Sequence, residues 1–266
     1  MMTRLDGRIA MVTGASRGMG LAIAQRLVAE GATVIMVARS FPELQEAAAG
    51  IGPSAHPLIC DIGDPESVRR VFNAVREGWG GLDILINNAA LATPSPIEEA
   101  DDGAVQKEVA VNILGPLYCC REAIPMMRAR GGGDIVNVSS ESIRHPYPHL
   151  SLYAATKSAL ETFSVALQGE VADDRIRVTI YRSGNVRGTF SRDWSDEART
   201  RARAAARDRG FYSRSGAQIE PEIPAAMIAN LLALPFEAQV DLIELRGIQP
   251  SSATIAARQA ADPSKI

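Results

Sequence analysis

Residues 13–20 read Thr-Gly-Ala-Ser-Arg-Gly-Met-Gly, directly after an apolar run at 9–12 and at the start of an amphipathic stretch at 19–29. A short apolar run, a glycine-rich turn and a helical pattern in that order predict a strand, a tight turn and a helix. Gly14, Gly18 and Gly20 carry no Cβ, so another backbone or a ligand can approach closely there. The open N–H groups and the positive end of the dipole at a helix start favour a phosphate. The spacing is Gly-x3-Gly-x-Gly, not the Gly-x-Gly-x-x-Gly of the common dinucleotide fingerprint. A turn with no ligand is the alternative reading. The place of the triplet, ending the first strand and opening the first helix, favours a phosphate ligand held by Gly14, Ser16, Arg17, Gly18, Met19 and Gly20.

Working outward, the same alternation repeats along the chain. Further short apolar runs lie at 33–37, 57–60, 84–86, 135–138, 178–181 and 242–245. Helical patterns lie between them, at 43–49, 65–79, 105–128, 152–172, 196–209 and 223–234. Near-continuous apolar runs fit strands buried on both faces. Strand–helix alternation repeated this often predicts a doubly wound α/β fold, a parallel sheet with helices on both faces and right-handed crossovers. In such a sheet ligands bind beyond the carboxyl ends of the strands, where the strand order reverses.

The second run ends Val37-Ala38-Arg39-Ser40. A carboxylate at this point would accept from both ribose hydroxyls of NAD and repel a 2′-phosphate. Ala38 stands there instead, with Arg39 beside it and Arg17 in the glycine turn. Two guanidiniums offer paired donors to a phosphate dianion, which favours NADP over NAD, with NAD the alternative.

Composition narrows the classes. The 266 residues are 46% apolar and 22% charged with a net charge of −3, an ordinary globular balance that excludes bulk disorder. That balance also argues against a nucleic-acid partner, and the absence of any long apolar run argues against a membrane span. The first eight residues are too polar for a signal peptide, which predicts a cytoplasmic protein. Cys60, Cys119 and Cys120, with no CxxC pair, fit a reduced compartment and offer no metal site. One domain is expected over 1–250, with 251–266 a tail of unassigned role.

Tyr153-Ala154-Ala155-Thr156-Lys157 opens a helical stretch. Residues four apart share a helix face, and a nearby ammonium favours the phenolate, drawing the tyrosine toward acid–base work near neutral pH. Lysine occurs only three times in the chain, yet one stands here. Ser139 and Ser140 end the run at 135–138, at the carboxyl end where ligands are expected. Pro116 has no N–H to offer the Asn112 carbonyl four residues back, so that carbonyl loses its helical partner and becomes an acceptor for water; a simple kink is the alternative.

These motifs resemble the short-chain dehydrogenase/reductases, the compact single-domain branch. The matching stretches are the turn at 13–20, Asp61-Ile62, Asn87-Asn88-Ala89-Ala90, Asn112, the segment 136–140 and Tyr153 to Lys157, in the family's order over about residues 5–190. The resemblance implies a seven-stranded Rossmann fold, a nicotinamide cofactor and oxidoreduction of a small ketone, aldehyde or alcohol. It implies that Tyr153 is the acid/base and that Lys157 holds the nicotinamide ribose and lowers Tyr153. Ser140, 13 residues before the tyrosine, would position the substrate oxygen, with Ser142 its stand-in. Asn112 would anchor a proton-relay water. Asp61 would meet the adenine amino group, Ile62 would pack on the adenine, Asn88 would line the cleft and Val186 would cover the nicotinamide. A homotetramer or dimer through the helices at 105–128 and 152–172 is implied as well. A non-enzymatic NADP-binding sensor and a non-redox lyase on the same fold are the alternatives; intact Ser140, Tyr153 and Lys157 argue against the first, and the retained glycine turn and Lys157 argue against the second.

Three departures stand out. Ala90 replaces the family's glycine; the usual Pro-Gly pair after strand six is Ser183-Gly184, with Thr189 one residue late; and the end of the chain lacks the family's frequent closing glycines. Residues 192–214 hold seven arginines. They predict a helix capped by Ser195 rather than a basic patch, with Asp196 and Glu197 at its positive end and a thin alanine stripe. In the family this segment covers the substrate, so Phe190, Trp194, Phe211 and Tyr212 are candidate pocket walls. His145 and His149 have no third ligand at metal spacing.

Overall fold

The computed structural model describes residues 4–208, 217–248, 251 and 253. Seven strands form one parallel sheet: β1 Ile9–Thr13, β2 Thr33–Ala38, β3 Ala55–Ile59, β4 Ile84–Asn87, β5 Gly133–Ser140, β6 Ile176–Ser183 and β7 Leu242–Leu245. Their order is β3-β2-β1-β4-β5-β6-β7. The order turns back between β1 and β4, which places the switch point where the glycine turn leaves β1. The doubly wound reading holds. Phe211, Tyr212 and the helix end at Arg209 lie outside the described residues, as does nearly all of the tail at 251–266.

Two cores flank the sheet. On one side α1 Gly18–Ala29, α2 Phe41–Ile51 and α8 Glu222–Leu232 pack on Val12, Val34, Met36 and Val138. On the other, α3 Pro65–Trp79, α5 Gly115–Ala129 and α6 Ser151–Glu170 pack on Met11, Ile35, Leu85, Ile135 and Val178. The central strands β1 and β4 are buried throughout, as continuous apolar runs require. The outer strands β3 and β7 are only partly covered, because each has a neighbour on one side alone. Among the described residues no helix is long and apolar enough to cross a membrane.

The single helix expected over 105–128 is corrected to two, α4 Asp102–Val109 and α5, joined by a π turn at Ala110–Leu114. Gly115 N–H reaches back five residues to the Ala110 carbonyl. Pro116 cannot donate to Asn112, and the wider turn absorbs that break in the ladder.

A buried polar row ties α6 to the sheet. Asn87 Nδ2 donates to Asn137 Oδ1 at 2.8 Å, and Asn137 Nδ2 donates to Ser164 Oγ at 2.8 Å. Directional bonds of this kind fix the helix along its axis, which apolar contact alone does not. Residues 153 and 157 ride on that helix.

Candidate active site

A cleft of about 1040 Å3 opens at the carboxyl ends of the central strands. It is lined by Gly14, Ser16, Arg17, Gly18, Met19 and Gly20 at one end and by Ser140, Tyr153 and Lys157 at the other. Arg39, Asp61, Ile62, Asn88 and Val186 line it as well. The residues expected on the cofactor are thus brought together in one wall. Asn112 is not in that wall; it is fully buried behind it.

The glycine turn is shaped for close approach. Gly14 and Gly18 have φ of +67° and +56°, a region that L side chains rarely adopt. A Cβ on Gly20 would stand 2.2 Å from the Gly14 carbonyl oxygen, so the turn closes only around glycine. Arg17 begins α1 without a side-chain capping bond, leaving the first N–H groups of the helix to the cleft. Asn88 braces the turn, donating from Nδ2 to the Thr13 carbonyl at 2.9 Å, while the Asn88 and Ala89 N–H groups both donate to Thr13 Oγ1 at 3.0 Å. Asn88 therefore latches β4 to the turn, a role that the motif alone does not reveal. These features fit a pyrophosphate-bearing dinucleotide, and Arg17 and Arg39 line the same cleft.

Ser140 ends β5 with its hydroxyl accepting from Ser142 N–H at 3.1 Å, and it also hydrogen-bonds the Tyr153 side chain. Ser139 Oγ and Ser142 Oγ are buried without a partner among the described residues. Lys157 Nζ donates to the Val138 carbonyl at 2.8 Å and lies 5.8 Å from the centroid of the Tyr153 ring. Burial pulls the lysine down to about 8. Tyr153 is pushed up to about 12, chiefly by burial and further by the charge of Glu108, with the bond to Ser140 acting in the opposite direction. The expected lowering of Tyr153 by Lys157 is not found here. The ammonium faces a main-chain carbonyl, and burial dominates the phenol. Tyr153 accordingly holds its proton at neutral pH, the form that can give one to a carbonyl oxygen.

Glu108 and Asn112 are neighbours one turn apart and together clamp the loop after β4. Asn112 Oδ1 accepts from Leu91 N–H at 2.8 Å, and its Nδ2 donates to the Leu91 carbonyl at 2.7 Å and to Thr156 Oγ1 at 3.1 Å. Glu108 Oε2 accepts from Thr93 N–H at 2.9 Å. Its carboxyl is buried, so its value rises above the usual carboxylate range. Glu108 escaped the sequence reading. Its signal was the four-residue spacing to Asn112, which on a helix puts both side chains on one face.

The segment 186–195 closes the cleft. Phe190 packs on Tyr153 with ring centroids 5.2 Å apart, and Trp194 meets Phe190 at 6.0 Å. Trp194 Nε1 donates to the Ala92 carbonyl at 2.7 Å. Phe190 and Trp194 are thus walls of the pocket, as expected. The helix follows as α7 Asp196–Asp208, with Ser195 Oγ accepting from Ala198 N–H at 3.1 Å and with Ala202 and Ala206 buried. Arg192, Arg199 and Arg201 are paired with Glu43, Asp196 and Glu99. Thr189 lines the cleft, 3.7 Å from where a Cβ on Gly18 would stand.

Comparison with known proteins agrees with this geometry. The family model described as short chain dehydrogenase matches residues 8–199. Galactitol 2-dehydrogenase of Agrobacterium fabrum is 37% identical over 59% of this chain and 62% of its own length. Dehydrogenase/reductase SDR family member 11 of Bos taurus is 33% identical over 92% of this chain and 98% of its own. The alignment thus spans under two thirds of the first relative and nearly all of the second. Among solved structures, L-sorbose reductase from Gluconobacter frateurii, complexed with NADPH and L-sorbose, is 30% identical with a TM-score of 0.80 over 94% of this chain and 98% of that one. With the family model matching residues 8–199, the chain belongs to the short-chain dehydrogenase family.

Proposed function

We propose that the protein is an NADP(H)-dependent oxidoreductase that interconverts a ketone or aldehyde and the corresponding alcohol, with Tyr153 as the acid/base. The observation that carries this reading is that one cleft is lined both by the glycine turn with Arg17 and Arg39 and by Ser140, Tyr153 and Lys157. A bound nicotinamide supplies or accepts the hydride. The chain supplies the rest. Gly14 to Gly20 and the start of α1 hold the pyrophosphate, Asp61 and Ile62 hold the adenine end, and Val186 covers the ring. Lys157 holds the ribose, and Ser140 donates to the substrate oxygen. Tyr153 gives that oxygen its proton in the reductive direction. Phe190 and Trp194 exclude water above it.

The name of one relative and the ligand of one solved neighbour support a polyol or ketose as the first substrate class to try. Assembly as a dimer or tetramer through α5 and α6 belongs to the same reading. The test is consumption of NADPH and of NADH by the purified protein against a panel of ketoses, aldehydes and simple ketones. Turnover with NADPH preferred supports the reading. Turnover with NADH preferred removes the role given to Arg17 and Arg39. Tight NADPH binding with no turnover across the panel favours a sensor.

A further inference from the structure

Arg17 is the cation of the glycine turn, and it is already engaged. Its Nη2 bonds Asp193 Oδ2 at 2.9 Å, and its Nη1 stands 4.0 Å from Glu43 Oε2. Glu43 in turn holds Arg192 at 3.1 Å. Asp193 and Arg192 lie on the segment that covers Tyr153, while Glu43 lies in the first turn of α2, four residues after Arg39. The covering segment is therefore tied to the cofactor end of the cleft through the guanidinium that faces it. At its other end the same segment is tied down independently, by Trp194 on the Ala92 carbonyl and by Arg201 on Glu99.

Arg39 differs. It is exposed and has no ion pair among the described residues. Of the two guanidiniums at this end, one has no ion pair among the described residues and the other is shared with the carboxylates of Asp193 and Glu43.

We propose that Asp193 is a cofactor-discriminating residue, competing with the 2′-phosphate of NADP for Arg17 and so setting how strongly the protein prefers the phosphorylated cofactor. The proposal rests on the reading that Arg17 binds that phosphate. A phosphate dianion is a stronger partner than one carboxylate for a forked guanidinium, so it takes the arginine from Asp193. The exchange costs the Arg17–Asp193 pair and leaves the Asp193 charge near the phosphate. Both effects weaken NADPH, and neither acts on NADH. Arg17 and Asp193 are 35% and 58% exposed, so the handicap is modest. The covering segment keeps its other ties through the exchange, Arg192 on Glu43 and Trp194 on the Ala92 carbonyl.

The test is the equilibrium dissociation constant of NADPH and of NADH, read by fluorescence without substrate, for the wild type, Asp193→Asn, Arg17→Gln and the double variant. The expected result is NADPH bound about 2–5-fold tighter by Asp193→Asn, the size of one exposed ion pair, with NADH unchanged. Arg17→Gln is expected to weaken NADPH by tenfold or more, and in that background the gain from Asp193→Asn is expected to vanish, as a shared partner requires. If Arg17→Gln weakens NADPH while Asp193→Asn leaves it unchanged or weaker, the competition is overturned and the role of Arg17 stands. If Asp193→Asn tightens both cofactors equally, the residue acts on the cover and not on Arg17, and the proposal is overturned. If Arg17→Gln leaves NADPH unchanged, the phosphate reading and the competition fall together.

Discussion

Lys157 donates to the main-chain carbonyl of Val138 at 2.8 Å, two residues before Ser140 on the same strand. The bond places a buried ammonium at the carboxyl end of β5 and pins the start of α6 against it. It also gives the lysine a cost. A charge held in a buried place with one neutral acceptor is disfavoured, and burial lowers Lys157 from 10.5 to about 8.

That cost makes stability and activity oppose each other at this position. A lysine whose folded-state value lies below its ordinary one is penalised while charged. The penalty is fully present below pH 8 and fades as the pH rises toward 10.5. A lowering of this size corresponds to about 3 kcal/mol. Lys157→Met loses the bond to Val138, which offsets about 1 kcal/mol of the gain. The variant is expected to be about 1–2 kcal/mol more stable than wild type at pH 7 by denaturant unfolding, to lose this advantage above pH 9, and to lose turnover. A destabilised variant at pH 7 contradicts the buried charge.

The same value sets a pH profile. In the reductive direction Tyr153 keeps its proton throughout the neutral range, so its titration does not limit the rate there. Lys157 loses its charge near pH 8. The kcat/KM for carbonyl reduction is expected to be level below pH 7 and to fall about tenfold per pH unit well above 8. A level profile up to pH 10 assigns no role to the lysine charge.

Much of this is legible in the sequence. The strand–helix alternation, the glycine turn and the Tyr153–Lys157 spacing are local patterns with a fixed period, and each lies where it was read. What escaped depends on contacts between distant segments. Glu108 reads as one more polar helix residue until Thr93 is seen above it. Asp193 reads as a loop carboxylate until Arg17 is seen beside it. The π turn had a visible cause in Pro116, but the ladder could have answered that proline with a kink or with an extra residue. The effect of Lys157 on Tyr153 was misjudged because spacing reports proximity and not burial.

The part that the Glu108 carboxyl plays in the clamp on the loop after β4 is read from two variants. Glu108→Gln keeps an acceptor for Thr93 N–H and is expected to retain substrate KM within about threefold. Glu108→Ala leaves that N–H unpaired, costing about 1–3 kcal/mol, and frees the loop that carries the Ala92 carbonyl under Trp194. Its substrate KM is expected to rise more than its kcat falls. Equal losses in both variants contradict the positioning role.

Ser140 and Ser142 are distinguished in the same manner. Ser140 bonds the Tyr153 side chain, whereas Ser142 Oγ is buried without a partner among the described residues. Ser140→Ala is expected to lower kcat by about 100-fold, as the loss of one donor to a reacting oxygen does. Ser142→Ala is expected to change it less than threefold. The reverse order in steady-state kinetics would move the role to Ser142.

The central claim is that Tyr153 handles the substrate proton while the remainder of the cleft binds the cofactor. Its most direct test is Tyr153→Phe, which removes one oxygen and keeps the ring that packs on Phe190. NADPH affinity is to be measured beside single-turnover reduction of the best substrate. The expected result is an NADPH dissociation constant within about twofold of wild type and a reduction rate lowered by about 1,000-fold or more. Reduction at the wild-type rate with the phenol gone contradicts the assignment of the proton to Tyr153.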